Sequence, residues 1–371
     1  MKIIIVYSFA IHPNVHKLAE TLSRNGHDVK LLVWDRDKKL AKVEKVDSFT
    51  VHRFRLKAPY GKLSVLLYQP FWWLYELCFI LKEKPNVVHA VNLDTLPPAI
   101  MAKLIRGTKV FYTIEDLYGG SYAGPVPSIL RKTVTFCERV GIAFTDTLFL
   151  ATEALYDELK GIRIKKVVYI YNSPEEYPDI EFTPNTTSET HIFYGGWIAR
   201  ARGIKDMVDS LSTLEGVKLV MAGKELDEGI VDHARAKLKD FQFLGWIPHK
   251  EIIKRSLEAD ILFIFADPSL RFLANYKYAT PNKLFEAMKC AKPIIVSDGT
   301  PMSQIVRNED CGIVVPYGDI KAIREAVLRL KNDPELRQRL GQNGRKAYET
   351  RYNWKIMESR LVEAYRDLGK R

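Results

Sequence analysis

The chain is poor in cysteine. Its four cysteines, Cys78, Cys137, Cys290 and Cys311, are scattered through 371 residues and form no C-x-x-C pair. That excludes a disulfide framework or a zinc knuckle and suits reduced core residues. No run of about 18 uninterrupted apolar residues occurs, so no membrane-spanning helix is expected. The opening MKIIIVYSF has the pattern of a buried strand and is too soon interrupted for a signal peptide. The expected location is therefore cytoplasmic. Asn185-Thr186-Thr187 spells a glycosylation sequon, which without a secretory signal is read as chance. Neither G-x-x-x-x-G-K-[ST] nor G-x-G-x-x-G is present, so a P-loop and a dinucleotide fingerprint are excluded. Internal short-period repeats and low-complexity tracts are also missing.

Positive charge is in excess. Lys and Arg number 56 against 45 Asp and Glu, a net charge of +11, and the pI is about 9.2. Such a balance fits an anionic partner: a nucleotide sugar, a nucleic acid or an acidic membrane surface. Charge alone also fits an ordinary basic protein. Hydrophobic content of 47% and charged content of 27% are those of a globular chain.

The length allows two domains. A first series alternates strand and helix patterns: a strand at 3–7, a helix at 15–24 ending at Gly26, a strand at 29–34, then FTVHRF, VVHAV, KVFYTI, TLFLA and KVVYIY. Residues 177–190 are rich in Pro, Glu and Thr, lack periodicity and read as a linker. A second series follows, with HIFYG, VKLVMAG, DILFIF, PIIVS and GIVVP as strands. Helices are expected near 230–239, 320–331, 334–350 and 354–368. Continuous apolar strands separated by helices predict parallel sheets covered on both faces.

Residues 259–319 say most about function. The strand at 260–265 runs into a long polar loop that ends at Thr280-Pro281. A helix follows over 282–290, and then the strand at 293–297. Thr280 suits the N-cap and Pro281 the first helical position. The free N–H groups of Asn282 and Lys283 then face the loop, where the helix dipole favours an anion. Glu286, one turn inside, is placed to accept two hydroxyl hydrogen bonds. A diphosphate at the helix start with a ribose beside Glu286 fits this layout.

This stretch resembles the donor-sugar site of the GT-B glycosyltransferases, specifically glycosyltransferase family 4. PNKLFEAMKCAKPII looks like the family's PNKLFE-x-M-x-x-x-KP variant. The family's Glu-x7-Glu pattern has its second Glu at Glu286, while Tyr278 stands at the first. The resemblance runs from Met1 to about Tyr365. It implies an α/β protein of GT-B architecture, two Rossmann-like parallel-sheet domains facing a central cleft that closes during turnover. The expected boundaries are 1–184 for acceptor binding, 185–352 for nucleotide-sugar binding, and 353–371 for a helix crossing back to the first domain.

The loop YGGWIARARGIKDM after HIFYG carries further candidates. Gly195 and Gly196 let backbone approach a ligand closely. Arg202, before Gly203, matches the family lysine that neutralises the donor diphosphate; Trp197 or Gly196 stands where the family has its arginine, with Arg200 as the candidate substitute. The competing reading is a solvated basic turn. Lys283 opposes the helix dipole at its position, which a bound phosphate would explain. An ordinary exposed lysine is the alternative. Tyr278 either stacks on the donor or packs in the loop.

In the N-terminal half, VNLDTLPP and FYTIEDLYGG follow two strands. Glu115 occupies the place of the family's active-site His and Asp116 follows it. Either orients an acceptor hydroxyl or acts as base; a capping or surface carboxylate is the alternative. His12 and Asp94 are the acceptor-side candidates, with His12 equally readable as polar surface. His16 and His89 read as structural. Asp35-Arg36-Asp37 spells the D-x-D of metal-dependent GT-A enzymes, but within DRDKK it reads as a solvated charged loop.

Residues 58–82, APYGKLSVLLYQPFWWLYELCFILK, are rich in aromatics and flanked by Lys57 and Lys82. Packing on the sheet is the favoured reading, and an interfacial helix with Trp72 and Trp73 at a membrane surface the second. Residues 127–141, with Arg131, Lys132 and Arg139 among apolar positions, are a second candidate surface.

The resulting expectation is a retaining transferase that moves a hexose from a nucleotide-diphosphate sugar to a hydroxyl of a saccharide or lipid-linked acceptor. No metal, other cofactor or nucleic acid is called for. Peripheral contact with an anionic membrane at the cytoplasmic face is a further expectation. A catalytically silent partner subunit and a GT-B nucleotide-sugar epimerase are the alternatives.

Overall fold

The computed structural model describes residues 1–10, 13–46, 48–60, 62–115, 117, 127–176, 180, 181, 183, 185–272 and 282–368. Contacts divide the chain into two units, Met1–Tyr171 with Met357–Arg371, and Asn172–Ile356.

The first unit is built on an eight-stranded sheet: β1 (Lys2–Tyr7), β2 (Asp28–Trp34), β3 (Val43–Val46), β4 (Phe49–Phe54), β5 (Val87–Val91), β6 (Lys109–Ile114), β7 (Thr147–Leu150) and β8 (Val167–Tyr169). Their order is β3-β4-β2-β1-β5-β6-β7-β8. All neighbours are parallel except β3 and β4. β5 is buried at every position, as a strand covered on both faces must be. β3, VEKV, is exposed and charged, which blunts the sheet edge. This short strand has no counterpart among the expected elements.

The second unit has six strands: β9 (Thr190–Gly195), β10 (Val217–Ala222), β11 (Phe241–Phe243), β12 (Ile261–Ile264), β13 (Ile294–Ser297) and β14 (Gly312–Val315). They are ordered β11-β10-β9-β12-β13-β14, and every pair is parallel. In both sheets the winding reverses beside the first strand, between β1 and β5 and between β9 and β12. Ligands of open α/β sheets bind beyond the strand carboxyl ends at such a point.

The units divide the chain earlier than the boundary at 184/185, because residues 172–176 are fastened to the second unit. The Tyr348 hydroxyl donates to the Pro174 carbonyl at 3.0 Å. Lys289 Nζ donates to the Glu175 carbonyl at 2.6 Å. At the other end the units divide at 356/357, within the helix Trp354–Arg366. Leu361, Ala364 and Tyr365 of that helix lie in the core of the first unit with Ile3, Leu31 and Phe111. The sequon asparagine has a structural use: Asn185 Nδ2 donates to Asp260 at 2.6 Å and to the Glu189 carbonyl at 2.7 Å.

Two expectations are corrected. Asp35 and Arg36 are buried, so DRDKK is not a solvated loop; only Asp37 and the lysines face water. Asp35 accepts from the Leu40 N–H at 2.9 Å. The Arg36 guanidinium sits over Phe9 and Trp34, 4.6 Å from each ring. The stretch at 58–82 divides by face. On the helix Gln69–Glu83, Trp72 is fully buried and stacks on Trp34, with ring centroids 5.8 Å apart. Phe71, Trp73 and Leu74 on the same helix are exposed.

His89 is structural, as expected. It is fully buried on β5. Its Nδ1 lies 2.7 Å from the Tyr365 hydroxyl and its Nε2 2.6 Å from the Thr113 hydroxyl. Burial pushes its pKa down to about 3. The unfolded chain binds this proton near 6.5, so between the two values the native state holds fewer protons. Stability from this site is complete above about pH 6.5 and is lost as the pH falls. Urea unfolding at pH 7 and pH 5 is expected to show a loss in the wild type larger by about 1–2 kcal/mol than in a His89→Asn variant.

Candidate functional site

At the carboxyl end of β9 the chain reads Tyr194-Gly195-Gly196. Gly196 has φ +142 and Gly223, after β10, has φ +141. A Cβ on Gly223 would stand 1.8 Å from the Gly196 carbonyl oxygen. The two strand ends therefore meet backbone to backbone, and only glycine permits it. Gly196 N–H donates to the Ala222 carbonyl at 2.8 Å, which seals the contact.

Lys283 fills the space left at Gly196. Its Nζ lies where a Gly196 Cβ would be, 1.9 Å from that position. It also stands 4.6 Å from the centre of the Tyr194 ring. Lys283 is the second residue of the helix Asn282–Lys289. Burial first, and the neighbouring Arg202 charge second, bring its pKa down to about 7, against the opposing pull of Glu286. Two cations thus share one corner beside the helix start. That arrangement is poised for an anion.

The backbone of the basic turn is fixed by hydrogen bonds. Ala201 lies between Arg200 and Arg202 in a single 3-10 turn. The Arg200 N–H donates to Asp227 at 2.7 Å, and its carbonyl accepts from the Tyr317 hydroxyl at 2.9 Å. The Ala201 carbonyl accepts from the Asp267 N–H at 2.9 Å, and the Trp197 carbonyl from the Tyr194 hydroxyl at 2.6 Å. Gly203 ends the turn with φ +59 against Phe265, where a Cβ would come within 2.8 Å. Arg200 itself is exposed, whereas Arg202 is half-buried.

Glu286 is nearly buried, with its Oε1 2.7 Å from His249 Nε2. Its Oε2 has no hydrogen bond among the described residues and remains an available acceptor. His249, Tyr194 and Gly223 escape a reading of motifs. His249 opens the helix His249–Glu258, and only the fold brings it to Glu286. Asn282 is exposed at the start of its helix. Tyr278 and Thr280 lie outside the described residues, as do His12 and Asp116.

In the first unit, Asn92 ends β5 with φ 67, a conformation that costs a non-glycine residue on the order of 1–3 kcal/mol. Its Oδ1 accepts from the Glu115 N–H at 3.0 Å, and its N–H donates to the Thr113 carbonyl at 2.9 Å. Asn92 thereby joins the carboxyl ends of β5 and β6. Asp94 lies in the next turn, Leu93–Thr95. Its carbonyl accepts from Gln69 Nε2 and from Trp73 Nε1, each at 2.8 Å. Glu76, fully buried on the same helix as Gln69 and Trp73, has no hydrogen-bond partner among the described residues. Burial, then the Asp94 charge, push its pKa well up, and it is held neutral. Among the described residues no cluster of three or more His, Cys, Asp or Glu is placed to hold a metal ion.

The glycine geometry sets an order of substitution effects. Gly223→Ala is expected to lower stability by about 3 kcal/mol or more, because the methyl meets rigid backbone. Gly196→Ala is expected to cost less, because the atom it meets is the end of a lysine that can swing away. Urea unfolding of both variants checks the order.

Comparison with known proteins identifies the family. Residues 10–173 match the glycosyl transferase 4-like domain and residues 179–347 match glycosyl transferases group 1. The capsular polysaccharide biosynthesis glycosyltransferase CapM of Staphylococcus aureus is 26% identical over 310 residues, 76% of this chain and 77% of that protein. The phosphatidyl-myo-inositol mannosyltransferase of Mycobacterium leprae is 24% identical over 189 residues, 48% of this chain and 46% of that protein. Among solved structures, the sucrose-phosphate synthase of Thermosynechococcus elongatus superposes with a TM-score of 0.78 at 18% identity, covering 100% of this chain and 99% of that one. With both halves matched by glycosyltransferase domains and the fold shared over its whole length, the chain belongs to the GT-B glycosyltransferases of the group 1, family 4-like type.

Proposed function

We propose that the enzyme transfers a hexosyl group, with retention at the anomeric carbon, from a nucleoside diphosphate sugar to a hydroxyl of a saccharide or lipid-linked acceptor. The observation that carries this reading is the partly discharged Lys283, held against Gly196 beside Arg202. Lys283 and Arg202 bring two basic groups to one corner, and a diphosphate there would meet both. As the bond from the anomeric carbon to the diphosphate oxygen breaks, the leaving charge falls on Lys283, Arg202 and the N–H groups at the helix start. Arg200 is an outer, exposed cation of the same turn, and Gly195 and Gly196 let the sugar phosphate lie close to backbone.

Glu286 takes the ribose. His249 occupies one carboxylate oxygen and leaves the other for a ribose hydroxyl. Tyr278 and Thr280 complete the donor set as sequence neighbours of the same helix. In the first unit Asp94 and His12 bind acceptor hydroxyls, and Glu115 or Asp116 orients or deprotonates the attacking one. Retention rests on the family 4 likeness. An acceptor on the path to a polysaccharide or glycolipid accords with the names of the two relatives.

Donor binding tests the assignment directly. In calorimetry with a panel of UDP, GDP and ADP, Glu286→Ala is expected to weaken the bound nucleotide by about 1.5–3 kcal/mol, roughly 10- to 150-fold. Unchanged affinity would remove Glu286 from the ribose site.

Lys283 gives a proton signature. Free Lys283 is largely neutral above pH 7, and a bound diphosphate restores its charge. Nucleotide binding at about pH 8 should therefore take up a proton, seen as a binding enthalpy that varies with the ionisation heat of the buffer. The uptake should fade by about pH 6, where the lysine is already charged, and vanish in Lys283→Met.

A further inference from the structure

The carboxylate at Glu286 is not open on both oxygens. Its Oε1 accepts from His249 Nε2 at 2.7 Å, and its side chain is only 12% exposed. A carboxyl with so little open surface does not offer one oxygen to an imidazole and a hydroxyl together, so Oε2 is left as the acceptor. The two hydroxyl bonds expected from the sequence are thereby reduced to one.

Both partners stand on fixed backbone. His249 is the first residue of the helix His249–Glu258. The Pro248 carbonyl ahead of it accepts from the Glu251 and Ile252 N–H groups at 2.9 and 3.1 Å. Ile253 is buried. Ile252 packs so closely on the end of β9 that a Cβ on Gly195 would stand 3.2 Å from it. On the other side, Glu286 lies between Phe285 and Ala287, both buried. Two packed helices therefore bring imidazole and carboxyl together. The ring of His249 is itself 53% exposed, so its hydrogen bond, and not burial, sets its place.

A nucleoside diphosphate is tied to the basic corner through its 5′-oxygen. Of its two ribose hydroxyls, the 3′ is the nearer to that oxygen and the 2′ the further. Glu286 stands four residues beyond Asn282, about 6 Å along the helix from its start. With the diphosphate at the helix start, the 3′-hydroxyl is the first to reach Oε2. A site that bonds a hydroxyl rejects the analogue lacking it, because its own polar group is left unpaired, whereas a hydroxyl the site never bonds is lost without penalty.

We infer that Glu286 reads the 3′-hydroxyl alone, and that the donors of this enzyme include 2′-deoxyribonucleoside diphosphate sugars beside the ribonucleoside ones. The inference rests on the donor reading above. His249 is the specificity-determining residue, since it takes the oxygen that would otherwise register the 2′-hydroxyl.

Calorimetry on the full-length protein tests this with UDP, GDP and ADP, each beside its 2′-deoxy and 3′-deoxy form. For the base that binds, the 2′-deoxy form is expected within about threefold of the ribose form, and the 3′-deoxy form at least about tenfold weaker. His249→Ala frees Oε1 and should open a gap of about tenfold between the ribose and 2′-deoxy forms. His249→Gln, whose amide can donate to the same oxygen, should restore the wild-type pattern. These are ratios between ligands on one protein, so a general loosening of the site does not move them. Equal losses for the two deoxy forms in the wild type, or an unchanged pattern in His249→Ala, would overturn the inference. Glu286→Ala tells the two failures apart. If it weakens the ribose form while His249→Ala changes nothing, only the role of His249 falls. If it changes nothing, or no nucleotide binds, the ribose assignment falls with it.

Discussion

The meeting of Gly196 and Gly223 is the constraint on which the geometry of the basic corner rests. At Gly223 the next backbone is already there, whereas at Gly196 a Cβ would meet the end of the Lys283 side chain. The corner so formed is too shallow for a side chain of its own and is filled from the facing helix by Lys283. Arg202 arrives from the adjoining turn, which is held by its own carbonyls and by Asp227, Tyr317 and Asp267. The two basic side chains are thus held in place before any anion arrives, with Lys283 only partly charged near neutral pH. Electrostatic stabilisation of a leaving group depends on such preorganisation, since nothing need be reorganised when charge develops.

The first unit is organised around an unequal covering of its sheet. One core cluster includes the last helix through Leu361, Ala364 and Tyr365, and the buried His89 joins that helix to β5 and β6. The helices between β4 and β7 instead have an outer side on which leucine, isoleucine and phenylalanine meet water. Within the helix Gln69–Glu83 the division is sharp: Trp72 stacks under the sheet while Phe71 and Leu74 point away from it. The same helix clamps the Asp94 turn, and its buried, neutral Glu76 lies close enough for Asp94 to act on its titration. The Asp94 turn is thus tied to the helix whose outer side is exposed.

Much of this was legible in the residues. Continuous apolar strands separated by helices announced two parallel sheets, because a strand covered on both faces has no polar side. The helix from Asn282 and the glycines at 195 and 196 were visible for local reasons of dipole and φ. The DRDKK loop was misread, because charge in sequence says nothing about aromatic neighbours such as Phe9 and Trp34, which come from other segments. The contact division at 171/172 has a similar origin: the carbonyls of Pro174 and Glu175 find their donors on residues more than a hundred positions away.

The sequence by itself determined the fold class, the positive balance, and which helix begins beside the second switch point, since these follow from periodicity, composition and local backbone chemistry. Only the tertiary structure decided that Lys283 lies in the Gly196 corner beside Arg202, that His249 reaches Glu286, and that Asn92 joins the β5 and β6 loops. It also decided which aromatics of residues 58–82 are core and which are surface. Each of these depends on side chains far apart in the chain meeting across a packed sheet, and a linear pattern carries no distance between them.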